Sequence, residues 1–183
     1  MNPFEVPIVL FIYKRLDTSL AIIDRIRTTK AKKVYLIGDA GKSASDDAII
    51  KKNRELIEAS IDWDCEIVKN YADTNRGVYE NIGLGAKWVF EREPVAIFLE
   101  DDNLPETTFF EYCKNLLDKY QDDTRVLWIC GTNYLGKYEP ADGSSYMFTK
   151  HLLPCGWASW ANKFLEFYDF TFNLFNPVNV ARV

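Results

Sequence analysis

Four short apolar runs limit what this chain can become: VPIVLFIY (residues 6–13), KVYLIG (33–38), CEIVKNY (65–71) and VAIFLE (95–100). Each is too short for a buried helix, and the first, second and fourth lack the polar alternation of a half-solvated strand. They read as strands of a sheet covered on both faces. Between them lie segments with helical periodicity. Alternation of this kind predicts right-handed βαβ units and a parallel sheet. The expected fold is α/β, a Rossmann-like, open, mostly parallel sheet with helices on both faces.

The intervening helices can be placed from their patterns. Residues 18–30 carry Leu20, Ile23 and Ile26 at helical spacing, with Leu16 upstream and Asp17 or Thr18 as N-cap. Residues 46–60 follow Ser45 as cap, with Asp46 and Asp47 favourably placed in the first turn. Residues 78–91 contain Gly83 and Gly85, which weaken a helix and so point to close packing. Residues 106–121 place Phe109, Tyr112, Leu116 and Leu117 on one face, and RVLWICGTNY (125–134) reads as a fifth strand.

Length and charge narrow the function classes. The chain of 183 residues is expected to form a single domain, and its net charge of -5 leaves no broad basic face for nucleic acid or an anionic membrane. No apolar run approaches the roughly 20 residues of a membrane span, and MNPFEVP lacks the basic start of a secretory signal. Cys65, Cys113, Cys130 and Cys155 are scattered without metal or redox spacing, so buried free thiols in a reducing cytoplasm are expected.

The chemistry concentrates where VAIFLE runs into Glu100, Asp101 and Asp102. Three consecutive carboxylates at a strand exit repel one another unless a cation or several hydrogen-bond donors hold them. In open α/β sheets, ligands bind beyond the carboxyl ends of the strands, near the reversal of strand order. Asp39 follows the second strand, Lys14 and Arg15 the first, Asn75 and Arg76 the third. Four βα loops thus bring ionisable or polar groups to one rim. Carboxylates without His or Cys nearby are hard ligands suited to Mg²⁺ or Mn²⁺, ions usually held by one or two carboxylates plus substrate phosphates. Extended neighbours cannot easily both reach one small ion, so one of Asp101 and Asp102 should ligate while the other accepts from a bound hydroxyl. The chemistry favoured is departure of a phosphate or diphosphate.

Plainer readings exist for each residue alone: a solvated turn for the aspartate pair, surface roles for Arg15 and Arg76, turn chemistry for Asp39. His151 reads as structural, and Trp157 and Trp160 as packing at a core edge. Other chemistries fit less well. GDAGKS (38–43) falls short of P-loop spacing, G-x-G-x-x-G and G-x-S-x-G are absent, and one histidine makes a poor triad.

The stretch VAIFLEDDNLPETTFFEYC resembles the strand, D-x-D-type metal motif and following helix of nucleotide-sugar glycosyltransferases with the GT-A fold. The likeness is nearest to N-acetylglucosaminyltransferase I-type enzymes and to bacterial haemolysin-like glycosyltransferases. It extends to KR after the first strand, IGDAGKS, NRGVYENI, LWICGTNYLGK and PCGWASW, in order, from Val6 to about Tyr168. The resemblance implies a metal-dependent, inverting transfer of sugar from a nucleoside diphosphate, a UDP-sugar above all, to a carbohydrate or glycolipid acceptor. It implies that Arg15 and Asp39 contact the nucleobase end, with Asn75 and Arg76 in the loop facing the nucleotide. Asp101 would bond the ribose, Glu100 would support the base–ribose region, and Asp102 would ligate Mn²⁺ (or Mg²⁺). A histidine that the eukaryotic enzymes place in the next helix falls at Gly85 here. The implied setting is the bacterial cytoplasm, peripheral to the inner membrane.

In that family the base that deprotonates the acceptor lies downstream of the Gly-Trp loop. Asp169 does not match its position, so no catalytic base is assigned. Residues 146–183 are accordingly expected to begin an acceptor-side part that is truncated at the C-terminus, leaving exposed the aromatic surface of FLEFYDFTFNLFNPVNVARV and little transfer activity. The alternatives are a non-catalytic nucleotide-sugar-binding module and a sugar nucleotidyltransferase. The latter lacks support because no Gly-rich, Arg-containing loop follows the first strand.

Overall fold

A computed structural model describes residues 4–172 of the chain. Its sheet is built from β1 (Ile8–Ile12), β2 (Lys33–Gly38), β3 (Glu66–Tyr71), β4 (Val95–Glu100), β5 (Ile129–Cys130) and β6 (Trp157–Trp160). The helices are α1 (Leu16–Thr29), α2 (Ala44–Ser60), α3 (Val78–Phe90), α4 (Thr108–Lys119) and α5 (Ala161–Phe167). The strand order is β3-β2-β1-β4-β6-β5. β1 pairs parallel with β2 and β4, and β2 with β3, whereas β6 is antiparallel to both β4 and β5. The mostly parallel, Rossmann-like α/β sheet is therefore the observed fold.

β1 runs down the middle with all five residues buried, which explains its unbroken apolar sequence. β3 is one of the two edge strands, and its polar interruptions Lys69 and Asn70 fit that position. Alternate side chains feed two cores. Ile8, Leu10, Leu36, Ile97 and Leu99 pack with Ile22, Ile23 and Ile26 of α1 and Phe110 of α4. Val9, Phe11, Ile37 and Phe98 pack with Ala86 and Val89 of α3 and Phe164 of α5. Gly85 permits this second contact: a Cβ there would lie 2.8 Å from Phe11 Cε1.

The second half departs from the sequence reading. The fifth strand shrinks to Ile129–Cys130, and WASW, which carried no strand expectation, forms β6 between β4 and β5. Trp157 and Trp160 lie in the two separate cores, as alternation along a strand requires. Trp157 stacks on Phe98 at 4.0 Å and on Trp128 at 3.8 Å between centroids. Phe164 and Tyr168 continue this packing, so over residues 164–172 the expected aromatic exposure is confined to Phe167, which alone of the large apolar side chains there is prominently exposed. The remainder of the tail lies outside them.

Smaller corrections have local causes. The α1 cap position is Arg15, while Asp17 and Thr18 lie inside the helix; α2 is capped by Ser43, whose Oγ accepts from Asp46 N, rather than by Ser45. All four cysteines are free, but only Cys113 is fully buried. His151 is exposed in the segment joining β5 to β6. Among the described residues no helix is long and apolar enough to cross a membrane.

Lys163 of α5 is 5% exposed. Its ammonium donates to the carbonyls of Tyr120 (2.7 Å), Asp123 (2.9 Å) and Val126 (2.8 Å) and stands 3.6 Å from the Trp160 ring centroid. The turn after α4 is thereby tied to α5.

Candidate functional site

The chain builds β1, β2 and β3 outward in one direction, then crosses to the other side of β1 to lay down β4. The reversal lies between β1 and β4, where Phe11 pairs with Glu100. Residues beyond those two strands meet there. Arg15 Nη1 stands 2.9 Å from Asp101 Oδ1 and 2.8 Å from Asp102 Oδ2. Tyr13 N donates to Asp101 Oδ2 at 3.2 Å, and Thr18 Oγ1 donates to the Asp101 carbonyl. Asp101 is 7% exposed, and these contacts fix its orientation. Thr18, expected to cap α1, instead joins that helix to the acidic turn.

Asp102 is different. Its side chain is 49% exposed, and Oδ1 accepts from Asn103 Nδ2 at 3.0 Å. Glu100 shares the α3 face with Phe98 by alternation. It is half-buried, and its carboxylate forms no hydrogen bond or ion pair among the described residues. Burial, and then the charges of Asp102 and Asp101, push its carboxyl above the usual range.

A second group sits on the same carboxyl edge, after β2 and β3. Asp39 is 6% exposed. Its Oδ1 accepts from Ala40 N (2.9 Å) and Arg76 N (2.8 Å), and its Oδ2 from Asn75 Nδ2 (3.0 Å) and Gly77 N (2.9 Å). Asn75 Nδ2 also reaches the Ala40 carbonyl at 2.7 Å. Asp39 therefore shapes the loop that opens α3, where Gly77 adopts φ 78°, a value that favours glycine. The Arg76 side chain makes no ion pair among the described residues. Lys14 turns aside to Asp46 at 3.0 Å, which gives that first-turn carboxylate a specific partner.

Asn103 was not singled out by the sequence pattern, yet it joins the acidic turn to the start of β6. Its Oδ1 accepts from Glu100 N at 3.3 Å and from Gly156 N at 3.0 Å. The available signal was its place just after two aspartates in a turn. An open cavity of about 1580 Å³ borders this turn, with Asp102, Asn103, Tyr112, Trp128 and Phe148 among its walls.

The donor set can be tested against a metal. Among the described residues, no group of three or more His, Cys, Asp or Glu is arranged to hold an ion by itself. Asp102 presents one hard, half-exposed carboxylate whose two oxygens keep acceptor capacity beyond their present contacts. That fits Mg²⁺ or Mn²⁺ bound through one protein carboxylate, the remainder coming from phosphate and water.

No protein-family model matches the chain, and no curated protein matches it. Several solved structures are similar in outline, two enzymes among them. The 4-diphosphocytidyl-2C-methyl-D-erythritol synthase of Anaerococcus prevotii DSM 20548 is 12% identical with a TM-score of 0.49, the match covering 86% of this chain and 72% of that one. The glucosyl-3-phosphoglycerate synthase of Mycobacterium tuberculosis, in complex with Mn²⁺, uridine diphosphate and phosphoglyceric acid, is 11% identical with a TM-score of 0.44, covering 68% of this chain and 41% of that one. Likenesses at this level carry no argument about chemistry.

Proposed function

We propose that this chain is a metal-dependent glycosyltransferase of the GT-A kind, or the donor-binding part of one, acting in the bacterial cytoplasm. It transfers a sugar from a nucleoside diphosphate, a UDP-sugar in the first instance, to an acceptor hydroxyl on a carbohydrate or glycolipid, with inversion. The observation that supports this best is the meeting of Arg15, Asp101 and Asp102 at the reversal between β1 and β4, beside the half-exposed carboxylate of Asp102. That is where an α/β sheet binds nucleotides.

In this reading Asp101 accepts from the ribose, with Tyr13 N and Thr18 already holding it, so little reorganisation accompanies binding. Asp39, Asn75 and Arg76 serve the nucleobase end, Asp39 in part by shaping the loop, and Glu100 supports the base–ribose region. Arg15, expected at the nucleobase end, answers the diphosphate in this reading, since its guanidinium stands against Asp101 and Asp102. Asp102 would hold the metal, which when bound neutralises charge on the departing diphosphate, an effect typically worth several kcal/mol. Asp169 is not assigned as the base; its Oδ1 is engaged by Thr171 N at 2.9 Å and Thr171 Oγ1 at 2.6 Å.

Calorimetric titration of uridine diphosphate with and without Mn²⁺ tests the assignment. Wild type should bind more tightly with metal, and Asp102→Asn should lose most of that gain. A metal dependence unchanged by Asp102→Asn sinks the assignment.

A further inference from the structure

The two aspartates share one nitrogen of Arg15, yet they are anchored very differently. Asp101 has a side chain 10% exposed and keeps its contacts with Tyr13 N and Thr18 if the guanidinium leaves. Asp102 has a side chain 49% exposed, and its only other hydrogen-bond partner among the described residues is Asn103 Nδ2. Arg15 itself is 59% exposed, so water already competes for both bridges. The Asp102 bridge is the one that can open without disturbing the turn.

We infer that Arg15 makes the site selective for a metal already carrying a nucleoside diphosphate over the free metal, by acting as the counter-ion of Asp102 until the diphosphate arrives. The inference rests on the metal-site reading given under Proposed function.

A free divalent cation must approach Asp102 against the positive charge of Arg15 and break its bridge. A metal–diphosphate complex carries net negative charge. Its phosphate oxygens can take both donors of the guanidinium fork, so opening the Asp102 bridge exchanges one anion for another. Arg15 remains held by Asp101 as it turns to the donor. An exposed ion pair is weak in water, so the device biases affinity and does not block it. Removing the guanidinium should raise the affinity for Mn²⁺ alone on the order of three- to ten-fold, combining the lost bridge with the lost repulsion.

The test measures Mn²⁺ binding by the paramagnetic resonance of the free ion, and by calorimetry, with and without uridine diphosphate. The proteins are wild type, Arg15→Gln and Arg15→Lys. Arg15→Gln should bind Mn²⁺ alone more tightly than wild type by that factor, with Arg15→Lys between them. Uridine diphosphate should then tighten Mn²⁺ binding more in wild type than in Arg15→Gln, since the coupling is reciprocal. Equal or weaker binding of Mn²⁺ alone by cooperatively melting Arg15→Gln overturns the inference. If wild type still binds Mn²⁺ with uridine diphosphate in that case, the metal-site reading survives. If Arg15→Gln does not fold, Arg15→Lys decides alone: affinity at or below wild type refutes the inference. Absence of Mn²⁺ binding in wild type under every condition removes the site and the inference together.

Discussion

Replacing Asp39 by asparagine changes the site's support with minimal change of shape. The carboxylate accepts four hydrogen bonds, two on each oxygen. An amide keeps one oxygen and turns an NH₂ toward two donors, either Ala40 N and Arg76 N or Asn75 Nδ2 and Gly77 N. Each hydrogen bond to a charged acceptor contributes about 1.5–3 kcal/mol. Asn75 is exposed and water can reach it, which favours the lower figure, so the expected loss is about 3 kcal/mol. For a protein of this length that corresponds to a fall in Tm of about 6–12 °C. Thermal unfolding reads the global change; hydrogen exchange at the Arg76 and Gly77 amides reads the loop. If the loop opens before the rest, Tm moves less while those amides lose protection. A loss below about 1 kcal/mol with both amides as protected as in wild type would refute the brace.

The other perturbations act elsewhere. Lys163→Met keeps the length of the side chain but abandons the carbonyls of Tyr120, Asp123 and Val126; a loss of about 3 kcal/mol is expected, seen as a lower urea midpoint at unchanged slope, and an unshifted midpoint would contradict it. Glu100 has a raised folded-state pKa, so its contribution to stability is present below its unfolded value and is lost as pH rises through the folded one. Glu100→Gln should therefore raise Tm at neutral pH by about 2–4 °C per kcal/mol relieved and leave it unchanged in acid; the same gain at both pH values would show that ionisation is not the cause.

β1, β2 and β4 were legible because burial on both faces leaves an unbroken apolar run, as Ile8–Ile12 and Val95–Glu100 show, whereas the partly buried β3 was legible from its place in the alternation of strands and helices. β6 was hidden: four residues with two small side chains between two tryptophans look like loop packing until β4 is there to pair with them. The strand-end carboxylates could be found because a charge cluster at the end of an apolar run is conspicuous. Their supports could not. Thr18 reaches a carbonyl on another element, and Asn103 meets Gly156 across the molecule. A side chain whose partner is distant in sequence looks like any other polar turn or helix residue. Asp39 was read as a rim residue, but its burial depends on a loop that folds over it from beyond β3.

The antiparallel placement of β6 has a consequence for how such a protein can diversify. A parallel strand in that slot would need a crossover helix, carrying the chain to the far end of the sheet before returning. Instead residues 131–156 leave and re-enter at one end, their roots closed by Gly131 N on the Gly156 carbonyl at 2.9 Å. Lengthening this excursion leaves every strand register intact, and doubling a flexible loop adds only about 0.6 kcal/mol of closure entropy. The sheet and the acidic turn can thus be inherited unchanged while the wall beside them is rewritten.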